Sequence, residues 1–167
     1  LQTGFDEADE TIEGTYTTAM MHQAYMESHT CLVRIAGGGR VDVWASNKGP
    51  HYVKRQVALI VGIDPERVHV HHVAIGGDFG GKGAQMNIPI CYFLAKASGR
   101  PVRMVMSYAE EFSAANPRHP SQVTVRTGVK RDGTIVANDI TAYFNTGAYA
   151  GFVPLGFLPG PRHAAGP

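Results

Sequence analysis

The segment HVAIGGDFGGKGAQ, residues 72–85, decides how this sequence is interpreted. Glycine occupies positions 76, 77, 80 and 81, with Asp78 and Phe79 between the two pairs and Lys82 after them. Because glycine has no side chain to pack and loses much backbone freedom on folding, this density weakens any strand or helix. The glycines are therefore expected where a bare backbone must come close to another group.

Regular patterns flank the glycines on both sides. Residues 67–75 are rich in β-branched side chains at alternating positions, which predicts a strand. Residues 88–99 predict a buried helix that ends at Gly99, with Pro89 in its first turn and Asn87 as its N-cap. A strand, a loop and a helix are thus expected in direct succession.

The other segments predict a mixed α and β architecture. Hairpins combined with crossover helices indicate an α+β fold, a two-layer α/β sandwich with a mixed sheet, and not a doubly wound sheet. Residues 1–150 are expected to form one lobe, and the Gly/Pro-rich residues 151–167 an irregular tail and a candidate truncation point. The remaining predicted elements are an extended segment (11–21), a hairpin (31–36 and 41–46), a helix (49–62) ended by Gly62, a strand (100–106), a short helix (107–114) with a Ser107–Glu110 capping box, and a hairpin (121–145) turned at Asp132-Gly133.

Composition and charge exclude several classes of protein. The 167 residues are 44% hydrophobic and 17% charged, which is typical of one globular domain. The net charge is +1 and the basic residues are scattered, so neither nucleic acid nor an anionic membrane surface is an expected partner. No apolar run approaches the ~18 residues of a membrane span, and the acidic first residues lack the pattern of a signal peptide. Cys31 and Cys91 are expected as buried free thiols in a reducing compartment.

The glycine loop, residues 76–82, admits three interpretations from its residues alone. It has the Gly-x-x-x-x-Gly-Lys spacing of a phosphate-binding loop, but Gly83 stands where Ser or Thr would bind magnesium. The dinucleotide fingerprint Gly-x-Gly-x-x-Gly is absent, and a mobile or tightly packed turn is the plain alternative. Phe79 favours a third interpretation, because a large apolar side chain is expected to anchor the loop while the amides of residues 78–81 face outward. Amides presented before a helix bind anionic or oxo ligands.

The sequence GGDFGGK of this loop closely resembles the Gly-Gly-x-Phe-Gly-Gly-Lys signature of the xanthine dehydrogenase and aldehyde oxidase family of molybdenum hydroxylases. The same family includes aerobic carbon monoxide dehydrogenases. The resemblance covers residues 11–150 and implies an α+β domain in the molybdenum-binding subunit of an oxidoreductase. Further motifs follow in the family's order: IEGTYTTAMMHQAYMESH (12–29), VDVWASNKGPHYVKRQVALIVGIDPERVHV (41–70), SGRPVRMVMSYAEEF (98–112), RHPSQV (118–123) and NTGAY (145–149).

The resemblance implies that the loop holds molybdopterin, the molybdenum cofactor. The backbone amides of Phe79 and Gly80 would lie beside the metal, with no metal ligand from this segment. In the family a Gln of the first segment hydrogen-bonds an oxygen on the metal, and counting back from His29 places Met21 there, with Gln23 two positions away. Met cannot donate this bond, so either Gln23 does so after a local shift or the site differs. The expected cofactor-binding residues are Gly76, Gly77, Asp78, Phe79, Gly80, Gly81, Gln23 and Met21.

The resemblance also implies what this segment lacks. The family's catalytic Glu and substrate-binding Arg belong to later regions, so no catalytic residue is expected here and the segment alone is expected to be inactive. Because the chain begins with Leu1, a piece of a longer protein is expected. Implied partners are the remainder of the molybdenum subunit, iron–sulfur and FAD subunits or domains, and a small-molecule substrate in the cytoplasm. The alternatives are a folded scaffold or assembly fragment that binds no cofactor, and a nucleotide-binding domain.

One departure from the family pattern concerns the substrate. Xanthine-oxidising members carry a Glu after the loop Lys, whereas this chain has Gly83. A purine is therefore less expected as substrate than an aldehyde or an N-heterocycle.

Several polar residues other than the loop glycines are expected to have structural roles. His69 and His71 share one face of a strand but lack a third metal ligand. Glu27 is expected as a buried acceptor, and Lys82 either balances cofactor charge or pairs with a carboxylate. The other expectations are a supporting or core role for His22 and His29, a capping and solvated role for Glu110 and Glu111, and a corner before a strand for Arg118-His119-Pro120.

Overall fold

The structure is a computed structural model that describes residues 1–84 and 86–148. The predicted tail, residues 151–167, lies outside the described residues. The elements in chain order are α1 (Gln2–Asp6), β1 (Glu10–Thr18), β2 (Thr30–Ile35), β3 (Val41–Ala45), α2 (Pro50–Val61), β4 (Val68–His71), α3 (Ile88–Ser98), β5 (Val102–Val105), α4 (Tyr108–Ala114), β6 (Ser121–Val129) and β7 (Ile135–Phe144), with short 3₁₀ turns at Gly37–Gly39 and Pro65–Arg67.

Two compact units divide the described residues. The first consists of residues 1–21 and 119–148, and the second of residues 22–118. The single lobe expected over residues 1–150 stays a prediction.

The first unit contains an antiparallel sheet in the order β1-β6-β7. β6 and β7 form the predicted hairpin, in which the Lys130 amide donates to the Thr134 carbonyl at 2.8 Å and Gly133 takes φ +90. β1 pairs with β6 along its whole length. The extended first segment is thus confirmed, whereas the short helix α1 has no counterpart among the predicted elements.

The second unit contains a four-stranded mixed sheet in the order β4-β3-β2-β5. β2 pairs antiparallel with β3, as the predicted hairpin, and with β5. β3 and β4 are parallel, and α2 is the crossover between them. α2 and α3 pack against one face of this sheet, where Val33 and Val43 are fully buried. The predicted α+β sandwich with a mixed sheet is therefore confirmed.

The helix boundaries follow the predicted signals with one exception. α2 and α3 end at Gly62 and Gly99, which take φ +71 and +66. Ser107 and Glu110 form the predicted capping box of α4. Asn87 lies at the predicted N-cap position of α3, but its side chain makes no capping bond, because φ −79 and ψ −2 place this residue in the helical region. A capping side chain needs a non-helical backbone at this position.

The strand expected over residues 67–75 is shorter in the structure, because β4 ends at His71 and an irregular segment leads into the glycine loop. Cys31 and Cys91 are buried free thiols, as expected, and burial raises the pKa of both. In the described part of the chain, no helix is long and apolar enough to cross a bilayer.

Candidate functional site

The glycine loop has a backbone that few residue types adopt. Gly77 and Gly80 take φ +91 and +92, in the left-handed region that is open to glycine. Phe79, between them, takes φ +46, which is uncommon for a bulky residue and persists only where other contacts hold it. The contacts around the loop therefore determine its shape.

A neighbouring segment of the same unit packs against the bare backbone of the loop. A Cβ added to Gly81 would lie 2.4 Å from Tyr25 Cε1. One added to Gly76 would lie 2.8 Å from Glu27 Cβ, so neither position has room for a side chain. Gly80 differs, because a Cβ there would meet no atom of the described residues within 4 Å. The loop is thus packed on one side and open at Gly80.

Asp78 folds back and binds the amides that follow it. Its Oδ2 accepts from the Gly80 amide at 2.9 Å and from Lys48 Nζ at 2.8 Å, and its Oδ1 accepts from the Lys82 amide at 2.6 Å. Its carbonyl accepts from the Gly81 amide at 2.8 Å. The expectation that the loop amides all face outward is therefore wrong for Gly80 and Gly81. The physical reason is that an Asp carboxylate readily binds amides a few residues ahead of it.

Three amides of the loop are left uncommitted by these contacts. Within the described residues, the amides of Gly77, Asp78 and Phe79 donate to no protein acceptor. The Phe79 side chain is 63% exposed, so its predicted role as an apolar anchor is wrong. The Tyr25 ring already fills the space behind the loop, and Arg118 binds the Phe79 carbonyl at 2.9 Å. Anchoring must therefore come from other residues.

The ion pair between Lys82 and Glu27 anchors the loop. Lys82 is fully buried, and its Nζ lies 2.6 Å from Glu27 Oε2 and 4.8 Å from the centre of the Tyr25 ring. The Glu27 side chain is 38% exposed, and its Oε2 also accepts from the Gly76 amide at 2.8 Å. Burial alone would raise the pKa of Glu27, but the hydrogen bonds from Lys82 and Gly76 outweigh burial and lower the pKa. Of the two roles considered for Lys82, pairing with a carboxylate is the one observed.

A second cluster, centred on Glu111, holds the segment that precedes β2. The fully buried Glu111 carboxylate accepts from the Tyr25 hydroxyl at 2.7 Å and lies 2.9 Å from His29 Nδ1. The His29 amide also donates to it, and His22 Nε2 is 3.7 Å away. The prediction that Glu111 is a solvated capping residue is wrong, because Glu110 alone completes the capping box. No local signal separates the two acids, since the contacts of Glu111 join distant parts of the chain.

The protonation states of this cluster follow from its hydrogen bonds. Burial alone would raise the pKa of Glu111, but donation from the His29 amide and the Tyr25 hydroxyl outweighs burial and lowers the pKa. Burial, together with the Glu111 carboxylate, raises the pKa of Tyr25. The Tyr25 hydroxyl therefore stays protonated as a donor, while its ring packs on the backbone of Gly81.

Gln23 is the candidate polar side chain that the structure brings to the loop. It is 8% exposed, and its Nε2 donates to the Asn116 carbonyl at 3.1 Å. Its Oε1 is buried, has no hydrogen-bond partner in the described part of the chain, and would lie 3.0 Å from a Cβ on Gly81. Met21, the other candidate, is 61% exposed and belongs to the other compact unit.

The histidines of β4 are engaged in packing. His71 Nε2 lies 3.1 Å from Asp42 Oδ1, and its ring stacks on Trp44 with the ring centres 4.1 Å apart. His69 meets the His71 ring edge-on at 4.4 Å. Among the described residues, no group of three or more His, Cys, Asp or Glu side chains is placed to hold a metal ion.

Comparisons with known proteins agree with the fold and identify the family. Residues 1–166 match the family described as molybdopterin cofactor-binding domain. The chain is 38% identical over 146 residues to the probable hypoxanthine oxidase XdhD of Escherichia coli (strain K12), a match that covers 87% of this chain and 15% of that protein. It is 34% identical over 150 residues to the xanthine dehydrogenase molybdenum-binding subunit of Escherichia coli O157:H7, covering 89% of this chain and 20% of that protein.

A solved structure shows the same fold. The aldehyde oxidoreductase from Desulfovibrio gigas superposes with a TM-score of 0.82 and 25% sequence identity, over 92% of this chain and 17% of that one. The chain thus spans less than a quarter of the length of each of these three proteins. Because the family match extends over almost all of its residues, the chain belongs to the molybdopterin cofactor-binding domain family.

Proposed function

We propose that this chain is part of the molybdenum-binding subunit of a molybdenum hydroxylase, and that its glycine loop holds molybdopterin through backbone amides. The observation that carries the proposal is the row of uncommitted amides from Gly77 to Phe79. These amides lie in a loop whose two ends are tied to Glu27. The activity proposed is that of a longer enzyme, of which this chain would supply one part of the cofactor site and no catalytic residue.

The residues of the loop fit the proposed group. Amide N–H groups are suitable donors to the oxo and dithiolene ligands of the metal, and the Phe79 amide is available. Gly80 leaves open space where a Cβ would stand. Gln23 and not Met21 is the proposed side-chain contact, because Gln23 Nε2, which uses one hydrogen for the Asn116 carbonyl, has a second hydrogen to donate to an oxygen of the cofactor. When bound, the cofactor would supply the redox centre at which a substrate carbon is hydroxylated.

The proposed enzyme passes electrons from its substrate to iron–sulfur clusters and a flavin on partner subunits or domains, in the cytoplasm. The residue after Lys82 and the names of the relatives favour different substrates. Gly83 favours an aldehyde or an N-heterocycle, whereas two relatives are named for hypoxanthine and xanthine. Turnover assays of the purified enzyme decide between them, and efficient oxidation of hypoxanthine with no aldehyde oxidation would overturn the inference from Gly83.

A matched pair of glycine variants tests the role of the loop. Gly80→Ala and Gly62→Ala each place Ala at a positive φ with open space around its Cβ, so both carry backbone strain of ~1–2 kcal/mol. Only Gly80 belongs to the loop. In the protein that contains this chain, we expect the molybdenum and pterin content to fall several-fold for Gly80→Ala and to stay at the wild-type level for Gly62→Ala. Equal contents in the two variants would contradict the proposal.

A second candidate function is a folded scaffold that binds no cofactor. It is favoured by the amides of Gly80, Gly81 and Lys82, which already have acceptors within the loop. Absence of molybdenum and pterin from the purified wild-type protein would support the scaffold and reject the cofactor site. The nucleotide-binding alternative loses support, because the Lys82 ammonium that a phosphate loop requires is buried and paired with Glu27.

A further inference from the structure

One carboxylate oxygen connects the beginning and the end of the glycine loop. Glu27 Oε2 accepts from the Gly76 amide at 2.8 Å and from Lys82 Nζ at 2.6 Å. The Glu27 amide in turn donates to the Gly76 carbonyl at 3.3 Å. Glu27 therefore binds both the amide and the carbonyl of Gly76, the first residue of the loop. It also binds the side chain of Lys82, the last residue.

The Lys82 side chain depends on Glu27 for its charge balance. It is fully buried, and among the described residues Glu27 is the one carboxylate that forms an ion pair with it. The Tyr25 ring, 4.8 Å from Nζ, adds a weaker cation–π contact. A buried ammonium without an anionic partner is strongly unfavourable. Loss of the Glu27 charge should therefore displace Lys82.

Displacement of Lys82 would also shift the middle of the loop, because hydrogen bonds connect the two. The Lys82 amide donates to Asp78 Oδ1 at 2.6 Å. The other oxygen of Asp78 binds the Gly80 amide at 2.9 Å. A continuous set of bonds thus runs from Glu27 through Lys82 and Asp78 to Gly80, next to the uncommitted amide of Phe79.

We propose that Glu27 is a positioning residue that fixes the backbone of the glycine loop, so that its uncommitted amides keep one orientation for the ligand. The proposal deepens the proposed function and rests on it for the identity of the ligand, but not for the control of loop shape. Glu27 touches neither the ligand nor the substrate in this role. It acts through Gly76 and Lys82.

Hydrogen–deuterium exchange of Glu27→Gln, measured by mass spectrometry on the intact protein, tests the control of loop shape. Gln keeps an oxygen for the Gly76 amide but removes the charge that Lys82 needs. We expect the hydrogen-bonded loop amides, those of Gly76, Gly80, Gly81 and Lys82, to exchange about 10- to 100-fold faster, because a charge-assisted bond is lost. Exchange in β2 and β3 should stay unchanged, which separates positioning from general destabilisation. Unchanged exchange in the loop would overturn the proposal.

Two further variants sharpen the test. Glu66→Gln breaks the exposed ion pair between Glu66 and Lys54, at 2.8 Å, and serves as the matched control with no expected effect on the loop. The double variant Glu27→Gln/Lys82→Met leaves no unpaired buried charge. We expect its loop exchange to return at least partly towards the wild-type rate, and a double variant as fast as Glu27→Gln would contradict the role of the charge. If Glu27→Gln fails to fold, the loop exchange rate of the double variant is compared directly with that of Lys82→Met, in which the Glu27 carboxylate remains solvated.

Pterin content after gel filtration separates this inference from the proposed function. If the wild type retains pterin, Glu27→Gln should lose it several-fold faster while β2 and β3 stay protected. Full retention despite a loosened loop would overturn the positioning role. If the wild type contains no pterin, the proposed function fails, and the exchange data still decide whether Glu27 controls the shape of the loop.

Discussion

Asp42 and Glu111 are buried carboxylates of the same compact unit, but different kinds of donor satisfy them. Asp42 is 1% exposed and is bound by Arg34 at 2.9 Å, Arg40 at 3.1 Å and His71 at 3.1 Å. The two arginine side chains are 46% and 60% exposed. Glu111 has no Lys or Arg partner within the described residues, and its donors are themselves buried.

The difference decides what happens when a carboxylate is removed. The arginines around Asp42 can turn towards water, so that their charge is solvated in the absence of the acid. Both residues are at most 3% exposed, so the His29 amide has no such alternative, and the Tyr25 hydroxyl has only His29 Nδ1, 3.2 Å away. A buried donor left without an acceptor bears its full desolvation penalty. The cluster centred on Glu111 should therefore tolerate substitution less well than the cluster around Asp42.

Glu111→Ala is expected to have the largest effect. It leaves the His29 amide without an acceptor and the Tyr25 hydroxyl with only His29 Nδ1 nearby, and we expect the free energy of unfolding to fall by about 2–3 kcal/mol. Urea denaturation measures this value. Glu110→Ala, which removes only the exposed partner of the capping box, is the control and should cost about 1 kcal/mol or less. Equal losses for the two variants would contradict the difference between buried and exposed acids.

Asp42→Asn should have a smaller effect, about 1–2 kcal/mol in the same denaturation experiment. Asn keeps one oxygen for the donors, and the freed Arg34 and Arg40 remain in contact with water. A loss as large as that of Glu111→Ala would show that exposure of the partner does not set the penalty.

Local signals made much of the fold predictable. Gly62 and Gly99 end their helices, Ser107 and Glu110 begin α4, and Asp132-Gly133 turns the last hairpin, because each depends on residues close in sequence. The pairing of β1 with β6 and of β3 with β4 was not specified, since strand partners are chosen by tertiary packing.

The position of the glycine loop between a strand and a helix was predictable, whereas its contacts were not. The spacing of the glycines located the loop. Nothing local indicated that Asp78 would bind the amides of Gly80 and Lys82, or that Glu111 would accept from Tyr25. The prediction that Phe79 anchors the loop was wrong for the same reason. The space behind the loop is filled by Tyr25, which is distant in the sequence.

Acid denaturation separates the stabilisation that comes from the charge of Asp42 from the stabilisation that comes from its shape. Burial would raise the pKa of Asp42, but the hydrogen bonds from Arg34, His71 and Arg40 outweigh it and hold the pKa well below its ordinary value of about 3.9. On acidification the unfolded chain takes up this proton first, so the stabilisation is complete above about pH 5, begins to decrease near pH 4 and continues to decrease towards the lowered pKa of the folded state. Asp42→Asn lacks this component. We expect its urea midpoint to fall less than that of the wild type between about pH 6 and pH 3, and parallel curves would argue against a stabilising charge.

Tyr25→Phe makes the smallest change to the buried cluster, and it separates two roles of one side chain. The hydroxyl serves Glu111, whereas the ring packs on Gly81 and lies beside Lys82. Phe keeps the ring, so we expect a loss of only about 1 kcal/mol in unfolding free energy and an unchanged pterin content in the intact protein. If pterin content falls although the fold is kept, the bond between Tyr25 and Glu111 also positions the loop, and the two buried clusters act as one support.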